Sequence, residues 1–483
     1  MQPISEDDIR MRIARDNPWW GEAFYIAPEA AHPRRVYFSS FKALALNAEV
    51  RRAAVLLGPR RVGKTFMIKQ LIYDAILEGM NPKHVLYVSI DTPIYSGMSL
   101  EKFLSYMPTT ASDGDCLVIY DEIQYHRDWE THLKDLVDHR PRTKFIASGS
   151  AAAALRLKSK ESGAGRFSDF MLPPLTFYEF LLFLGEEEKY IARAPTDVKG
   201  QPHYEINDID GLNARFVDYL NFGGYPEAVT NDAIRKNPEQ FIKNDIIDKV
   251  LLKDLPSLYG IADIQELNRL FAVLAYNAGN EASLENISKD AGITKPTIKR
   301  YIEYLESAFL IIKISTVDEN CRTMQRARNF KVYLNNPSMR AAIFAPVSPD
   351  DSHQIGRLAE SAIFSQWQHS RSFQTLKYAR WRDGEVDIVC MEPASQKPRW
   401  IGEIKWSDRV ADNLQGEAAG LISLLRRHST IKEAFFTTKT VESETTLEGR
   451  RLNLWPSAAY CYFVGRNITA HLEIPLISVT TKE

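Results

Sequence analysis

One eight-residue segment has the residue types and spacing of a phosphate-binding loop. Residues 58–65 read Gly-Pro-Arg-Arg-Val-Gly-Lys-Thr and fit the pattern G-x-x-x-x-G-K-S/T. The glycines let backbone N–H groups surround phosphate oxygens, Lys64 would meet the β- and γ-phosphates, and Thr65 would offer a hydroxyl to Mg²⁺. The alternative is an ordinary glycine turn between a strand and a helix.

A second chemical signal is an apolar run that ends in two carboxylates. Residues 116–120 are apolar, and Asp121 and Glu122 follow them. This pattern predicts that Asp121 holds Mg²⁺ and that Glu122 polarises a water molecule. Taken alone, the same pattern is a plain exit from a strand into a loop. The predicted nucleotide-binding residues are Gly58, Pro59, Arg60, Arg61, Val62, Gly63, Lys64, Thr65, Phe66 and Asp121, with ATP and Mg²⁺ as cofactors.

Two further side chains are candidates for completing a phosphate site. Ser148 follows the apolar segment 144–147, which places a hydroxyl at the sheet edge where it would sense a γ-phosphate. Arg166 follows Gly165, and an exposed arginine there would act as an arginine finger in the site of a neighbouring subunit. The alternatives are a simple turn and a solvated arginine.

The elements that must position these residues are strands that alternate with helices. The segment 52–65 indicates a strand, a glycine loop and the start of a helix. Further apolar strands are predicted at 85–90, 116–120 and 144–147, with a helix at 129–138. Alternating strands and helices predict an α/β fold with a parallel sheet and ligand chemistry at the carboxyl ends of its strands.

A carboxylate set lies in the C-terminal part of the chain. Glu360 is on a predicted helix, Asp387 on a strand, and Glu403 and Lys405 on the next strand, predicted over 400–406. Alternation along a strand points Glu403 and Lys405 to one face. The three carboxylates would bind one or two divalent ions, Mg²⁺ or Mn²⁺, at a scissile phosphate, while Lys405 orients or activates the attacking water. Glu385 would be an auxiliary carboxylate, and the alternative is a solvated strand face.

Residues 283–302 have the pattern of a helix-turn-helix, with a small-residue turn at 291–294. Basic residues on the second helix would contact DNA phosphates while other side chains enter the major groove. The alternative is a packing or dimerisation module, because Glu303 and Glu306 lie on the same helix. The predicted DNA-contacting residues are Lys295, Lys299 and Arg300.

These motifs resemble prokaryotic AAA-type (AAA+) ATPases that carry a C-terminal domain of unknown function. The resemblance rests on residues 58–65, 121–122, 148–150, 165–166, 174–180 and 222–227. It implies that Ser148 is sensor 1 and Arg166 the arginine finger. It also implies a AAA+ core joined to a winged-helix unit and a nuclease-like α/β domain. The order of Glu360, Asp387, Glu403 and Lys405 resembles the PD-(D/E)xK nuclease core.

We therefore predict four segments. They are a AAA+ P-loop core with its lead-in at 1–174, a helical lid or connector at 175–265, a winged-helix-like domain at 266–345, and a PD-(D/E)xK nuclease-like domain at 346–483. In the region 175–265 the expectation is long amphipathic helices interrupted by the glycine-rich stretch 222–226.

The overall composition limits the class of protein. The formal net charge is −2 over 483 residues, so any DNA-binding surface must be local. The four cysteines form no CxxC pair, the first eight residues contain no apolar signal segment, and no apolar run approaches the roughly 20 residues of a membrane span. We expect a cytoplasmic homo-oligomer without membrane segments.

The functional expectation is an ATP-hydrolysing protein that acts on DNA or is regulated by it. A metal-dependent nuclease domain would suit genome defence or mobile-element biology. Two alternatives stay open: a nucleotide-dependent switch or scaffold that binds partner proteins, and a DNA-stimulated ATPase that does not cleave DNA.

Overall fold

The computed structural model describes residues 5–21, 25–47, 49–108, 115–149, 165–194, 203–322 and 329–469. Ser150, which belongs to one of the predicted motifs, lies outside these residues. The chain divides into two compact units, of which the first ends at Pro173 and also takes in Ser307–Phe309. The second unit begins at Pro174. Among the described residues, no helix is long and apolar enough to cross a membrane.

The first unit is built on a five-stranded parallel sheet with the strand order β2-β3-β4-β1-β5. Its strands are β1 (Ala53–Leu57), β2 (Val85–Ser89), β3 (Cys116–Asp121), β4 (Thr143–Gly149) and β5 (Phe167–Met171). Its helices are α1 (Glu6–Asp16), α2 (Phe38–Ala45), α3 (Lys64–Leu77), α4 (Leu100–Leu104) and α5 (Trp129–His139). The predicted parallel α/β core is confirmed.

The central strands read as continuous apolar runs because both faces of the sheet are covered. Every residue of β1 and β3 is buried, as is usual for parallel strands packed between helices. The edge strand β5 was not predicted from the sequence. Its residues are only partly buried and include Ser168 and Asp169, so it lacks the apolar signal of its neighbours.

Strand order brings the chemical motifs to one edge of this sheet. The loop 58–63 follows β1, and Asp121 is the last residue of β3. Ser148 is the residue before the end of β4. Strand β4 pairs with β1 on one side and β3 on the other, all in parallel. The carboxyl ends of these three strands are therefore adjacent, which is the arrangement the α/β prediction required.

The second unit contains a small antiparallel hairpin and a nine-stranded mixed sheet. The hairpin strands are β6 (Ile191–Ala194) and β7 (His203–Ile206). The large sheet comprises β8 (Glu281–Ser283), β9 (Ile311–Val317), β10 (Asn329–Leu334), β11 (Leu376–Trp381), β12 (Gly384–Met391), β13 (Pro398–Glu403), β14 (Glu433–Thr438), β15 (Ser443–Leu447) and β16 (Arg450–Pro456). Its strand order is β15-β16-β14-β13-β12-β11-β9-β10-β8.

Short helices make up most of the rest of this unit. They are α6 (Phe177–Leu184), α7 (Glu187–Tyr190), α8 (Ile209–Phe222), α9 (Pro226–Thr230), α10 (Asp232–Lys236), α11 (Leu255–Tyr259), α12 (Ile264–Tyr276), α13 (Leu284–Ala291), α14 (Lys295–Ser307), α15 (Ser338–Phe344), α16 (Ser352–Trp367), α17 (Arg409–Asp412), α18 (Leu414–Glu417), α19 (Ala419–Arg427) and α20 (Ser457–Thr469). Two π-helical stretches cover Glu239–Asp248 and Val250–Asp254.

The long helices expected in the region 175–265 are present in part. They are α8, with 14 residues, and an unbroken helical run over 238–259 that joins the π-helical stretches to α11. The predicted break at 222–226 separates α8 from α9, whereas the hairpin β6–β7 was not expected. Helices α6 and α8 share a hydrophobic core with α16 and α20. The buried Gln366 on α16 links them, because its side chain accepts from Phe177 N at 2.9 Å and donates to the Tyr219 hydroxyl at 2.9 Å.

One sheet crosses the predicted boundary at residues 345 and 346. Strands β8, β10 and β9 belong to the winged-helix-like segment, and β9 continues into the C-terminal strands by pairing in parallel with β11. Thr316 lies opposite Tyr378 in this pairing, and Val317 opposite Ala379. Side chains from the two predicted segments can therefore meet on one face of a continuous sheet.

The close approach of Gly58 to the backbone generates a stability prediction. A Cβ at this position would lie 2.2 Å from the Leu172 carbonyl oxygen, so the end of β1 would have to shift in Gly58→Ala. We expect a loss of about 1–3 kcal/mol, as for overpacking of an interior, seen as a lower Tm in calorimetry. Gly21→Ala is the control, because no atom lies within 4 Å of its added Cβ. Equal Tm values for the two variants would contradict the prediction.

Candidate nucleotide site and C-terminal carboxylate cluster

The loop 58–63 wraps around the side chain of Lys64. Lys64 Nζ donates to the carbonyl oxygens of Gly58 at 3.0 Å and Pro59 at 2.7 Å. The loop turns through left-handed conformations at Arg61 (φ 64°) and Gly63 (φ 95°), and α3 begins at Lys64. The N-terminal end of α3 thus follows the loop directly, and the dipole of a helix favours negative charge at this end.

Asp121 is the hub of the site. Its Oδ2 accepts from the Thr65 hydroxyl and the Tyr87 hydroxyl, each at 2.8 Å. Its Oδ1 accepts from the Ser148 hydroxyl and from the backbone N–H of Glu122 at 3.2 Å. Asp121 is buried at 2% exposure. The structure therefore brings together three predicted residues, Thr65, Asp121 and Ser148, and leaves the carboxylate fixed in direction.

Glu122 lies beside this hub in a strained backbone conformation. Its φ of 53° is in the left-handed region, which is uncommon for a residue with a Cβ. Burial raises the pKa of the Glu122 carboxyl, which favours proton uptake. The Gln124 side chain donates to Glu122 Oε2 and orients it.

Tyr87 was not predicted from the sequence. Burial raises the pKa of its hydroxyl and the Asp121 charge raises it further, so Tyr87 stays a donor to Asp121. Lys69 Nζ lies 3.4 Å from the centre of the Tyr87 ring, and burial lowers the pKa of Lys69 to about 8. Tyr87 is one residue of an apolar strand, and no spacing rule distinguishes it from a core tyrosine.

Arg35 is a second residue that the sequence did not reveal. This buried guanidinium donates to the carbonyl oxygens of Val62 at 2.7 Å and Pro173 at 2.9 Å. These two hydrogen bonds tie the loop 58–63 to the segment that follows β5. An isolated arginine far upstream of the loop gives no signal of this role in the sequence.

The predicted residues Arg60 and Phe66 lie at the surface of the site, whereas Val62 is buried. Arg60 donates to the Tyr125 hydroxyl at 2.9 Å. Phe66 is exposed on the first turn of α3, with its ring 5.4 Å from that of His32. These positions neither add to nor remove the predicted nucleotide contacts, which stay predictions.

Arg166 lies away from the loop of its own subunit. It directly precedes β5, and its carbonyl accepts from Ala53 N at the start of β1, at 2.9 Å. Since β1 and β5 are parallel, this is the edge of the sheet opposite to the loop 58–63. The Arg166 side chain is ion-paired with Asp138. Its role as a finger in a neighbouring subunit stays a prediction.

The predicted C-terminal residues converge in the second unit. Lys405 Nζ donates to Asp387 Oδ2 at 3.2 Å and to Glu403 Oε1. Strand β13 ends at Glu403 instead of continuing to 406 as predicted. The reason is that the Ile404 and Lys405 N–H groups donate to the side chains of Asp387 (2.9 Å) and Thr437 (2.8 Å). The carboxylates of Glu360, Glu385, Asp387 and Glu403 are called the carboxylate cluster below.

A lysine that the sequence analysis missed occupies the centre of this cluster. Lys331 Nζ lies 2.9 Å from Glu360 Oε1, 2.7 Å from Glu385 Oε1 and 3.4 Å from Asp387 Oδ1. Its side chain is 5% exposed. A lone lysine between Phe330 and Val332 in an apolar strand is the signal that would have found it.

Charge compensation controls the ionisation of the cluster. Burial raises the pKa of Glu403 to about 8, with repulsion from Asp387 adding to it. Burial alone would also raise the pKa of Asp387, but the ammonium groups of Lys405 and Lys331 hold it below its usual value. Burial likewise tends to lower the pKa of Lys331, whereas Glu360 and the other carboxylates raise it above its usual value. Both lysines are thus charged partners of the carboxylates.

The cluster as observed is arranged around ammonium groups. Among the described residues, no three His, Cys, Asp or Glu side chains are placed so that they could hold a metal ion. Metal binding by Glu360, Asp387 and Glu403 stays a prediction. It would require Lys331 to leave its ion pairs with Glu360 and Asp387.

The helix-turn-helix consists of α13 and α14. Ser283 caps α13 by accepting from Asn286 N at 3.2 Å, and Gly292 ends it with a φ of 67°. The face of α14 that bears Ile298 and Ile302 is buried. The three predicted DNA-contacting residues are exposed on α14, namely Lys295, Lys299 and Arg300.

Two models of known protein families match parts of the chain. Residues 50–181 match the family model described as an AAA domain. The segment 50–181 is called the AAA domain below, after the family model that it matches. A second model, described as a domain of unknown function (DUF8612), matches residues 213–350 of the second unit. The parallel sheet, the loop 58–65 and the hub at Asp121 all fall inside the AAA domain.

Two proteins are similar in sequence to this chain. An uncharacterized protein of Methanocaldococcus jannaschii is 23% identical over 57% of this chain and 59% of its own length. An uncharacterized protein of Haemophilus influenzae is 26% identical over 55% of this chain and 62% of its own length. The chain thus spans about three fifths of the length of these relatives.

Two solved structures align with the chain at low similarity. A RuvB variant of Thermotoga maritima aligns with 65% of this chain and 93% of its own at 14% identity and a TM-score of 0.29. AMPPCP-bound DnaA from Aquifex aeolicus aligns with 58% of this chain and 89% of its own at 12% identity and a TM-score of 0.26. At these scores the alignments add nothing to the argument from the site.

The contact between Tyr87 and Asp121 generates a prediction for the AAA domain. Tyr87→Phe removes a donor from a buried carboxylate, which costs about 1–3 kcal/mol. We expect a lower midpoint of urea unfolding for this domain. Tyr73→Phe on α3 is the control, because it removes a half-buried tyrosine hydroxyl without changing the Asp121 contacts. If both variants unfold at the same midpoint, the hydroxyl of Tyr87 does not support Asp121.

Proposed function

We propose that the AAA domain binds and hydrolyses ATP. The observation that carries this proposal is the convergence of Thr65, Ser148 and Asp121 beside a loop that encloses Lys64. Glycine turns, a helix start and a lysine supply the donors that phosphate oxygens require. A plain glycine turn needs neither a hydroxyl and an ammonium group at the start of α3 nor polar side chains at the ends of β3 and β4.

The residues also fit the metal that ATP chemistry requires. The Thr65 hydroxyl and the Asp121 carboxylate are two oxygen ligands 2.8 Å apart, which suits Mg²⁺ because this ion keeps several waters of its own. Bound there, Mg²⁺ would neutralise charge on the β- and γ-phosphates. Tyr87 would keep Asp121 in place when Thr65 turns from the carboxylate towards the ion.

Two side chains at the hub have distinct roles in hydrolysis. Glu122 is placed next to Asp121. Its raised pKa suits a group that orients the attacking water and accepts a proton from it. Ser148 connects the end of β4 to Asp121, so its hydroxyl reports the state of the phosphates to the neighbouring strand. Lys64 would exchange the carbonyl oxygens of Gly58 and Pro59 for phosphate oxygens.

Assembly into a homo-oligomer belongs to the same proposal. Arg166 lies at the sheet edge opposite to its own loop. It would therefore reach a γ-phosphate only in a neighbouring subunit, after release from Asp138.

The role of Glu122 is tested by replacing its carboxylate with an amide. We expect Glu122→Gln to lower the rate of phosphate release by about 10²- to 10⁴-fold, the usual contribution of a general base, while ATP binding persists. The matched control is Glu101→Gln, because Glu101 is an exposed carboxylate of the same unit. Unchanged turnover in Glu122→Gln would exclude the assigned role.

We further propose that the second unit binds duplex DNA through α14. The observation that favours this is the exposure of Lys295, Lys299 and Arg300 on the second helix of a helix-turn-helix. Lys295 has a weak, exposed ion pair with Glu285 at 3.8 Å, so it remains available to a phosphate. Phosphate contacts of this kind give salt-dependent affinity.

In this proposal the C-terminal strands support DNA binding without cleavage. Asp387, Glu403 and Lys405 lie close together, because Lys405 donates to both carboxylates. However, the carboxylates do not fit a divalent ion as they are placed, because Lys331 lies between Glu360 and Asp387. ATP hydrolysis regulated by DNA is therefore the function that the geometry supports best, and a role in genome defence or mobile-element biology would follow from it.

The DNA proposal predicts a specific loss of affinity. Replacing Lys295, Lys299 and Arg300 together by Ala should weaken binding of a 30-base-pair duplex, measured by fluorescence anisotropy, and should make the slope of log K against log salt shallower by about 2–3 units. The control is the triple variant Lys236→Ala, Lys397→Ala, Lys432→Ala, which removes three exposed lysines elsewhere in the unit.

The outcomes separate the three functional alternatives. Equal loss in both triple variants indicates nonspecific charge attraction, and absence of duplex binding by the unmodified protein favours a switch for protein partners. Plasmid incubated with ATP and Mn²⁺ should stay intact. Nicking that disappears in Asp387→Ala would establish the nuclease alternative.

A further inference from the structure

The position of Lys331 suggests what neutralises the carboxylate cluster. We propose that the ammonium group of Lys331 is the built-in cation of this cluster and takes the place of a divalent metal ion. The proposal goes beyond ATP hydrolysis and does not depend on it. It is based on the contacts of Lys331 with carboxylates from α16 and from β12, a strand of the same sheet as β10.

The contacts of Lys331 are those of a bound cation. Its Nζ has oxygen atoms of Glu360, Glu385 and Asp387 within 2.7–3.4 Å. Two of these carboxylates come from β12 and one from α16. An ammonium group has three donors, and it meets three carboxylates here. This is a complete set of partners for the lysine, so its desolvation is offset by direct pairing.

The backbone holds Lys331 in this position. It lies inside β10, where it pairs with Ile314 of β9 and Glu281 of β8 on the two sides. Tyr333, two residues further on the same face of the strand, donates to Glu360 Oε1 at 2.6 Å. The side chain is therefore directed into the cluster by the register of the sheet. Withdrawal would remove one cation from Glu360, Glu385 and Asp387 together, and loss of a charge partner from buried carboxylates is costly.

Several other oxygen atoms of the cluster are also engaged. Asp387 Oδ2 accepts from Ile404 N at 2.9 Å and from Lys405 Nζ at 3.2 Å. Glu403 is paired with Lys405, and Glu385 is paired with Arg380. A divalent ion would have to draw these oxygens to about 2.0–2.6 Å while lying next to a buried ammonium group. Repulsion between the two cations opposes that arrangement.

A consequence follows for the architecture of the second unit. Lys331 belongs to the winged-helix-like strands, whereas its partners belong to the C-terminal strands and α16. The ion pairs of Lys331 thus join the winged-helix-like segment, which contains α14, to the C-terminal segment of the chain. The same ammonium group that excludes a metal ion joins β10 to β12 and α16 by ion pairs.

The test measures Mn²⁺ binding to the full chain by electron paramagnetic resonance. All proteins carry Asp121→Asn, which removes the carboxylate ligand predicted at the nucleotide site. In this background, adding Asp387→Asn should leave Mn²⁺ binding unchanged. Adding Lys331→Met should create one new site, at least tenfold tighter than any in the parent, and Asp387→Asn should abolish that new site.

Each other outcome overturns the proposal. Weaker Mn²⁺ binding after Asp387→Asn alone would show that the native cluster already holds the metal. A folded Lys331→Met protein without a new site would show that the ammonium group is not what keeps the metal out. Lys331→Arg keeps the positive charge and should gain no site, and Lys331→Gln repeats the test if the methionine variant fails to fold. If neither neutral variant folds, the comparison of the parent with Asp387→Asn decides.

Discussion

The AAA domain depends on the placement of one buried carboxylate at the carboxyl edge of its sheet. Asp121 is nearly inaccessible to solvent, and hydroxyl donors from α3, β2 and β4 converge on it. A buried anion is tolerated only when its oxygens are hydrogen-bonded. This requirement fixes the order in which strands and loop must lie, and it leaves Lys64 and Thr65 beside the space that a triphosphate would fill.

The second unit solves a similar problem with ammonium groups in place of hydroxyls. Its carboxylates are buried between a sheet and α16, where each of them needs a cation or a donor. Lys331 supplies its charge from β10, and Lys405 from the segment that follows β13. The two acidic sites of the chain therefore differ in kind. Asp121 has only neutral partners among its observed contacts and suits an added cation, whereas the carboxylate cluster already contains its cations.

Sequence reasoning recovered the parts of the structure that have strong local patterns. The strands β1, β3 and β4 were found because fully buried parallel strands read as unbroken apolar runs. The convergence at Asp121 followed from the rule for strand ends. The edge strand β5 and the hairpin β6–β7 were missed, because half-buried short strands carry weak patterns. Tyr87, Arg35 and Lys331 were missed because their partners lie far away in sequence, and only the tertiary fold brings them together.

The central claim is that the loop around Lys64 receives a triphosphate, and titration calorimetry with ATP and Mg²⁺ tests it most directly. The account predicts one ATP per chain with a dissociation constant in the micromolar range, weakened by about 100-fold or more in Lys64→Ala because a direct ammonium–phosphate contact is lost. No heat of binding in the unmodified protein, or equal affinity in Lys64→Ala, would contradict the account.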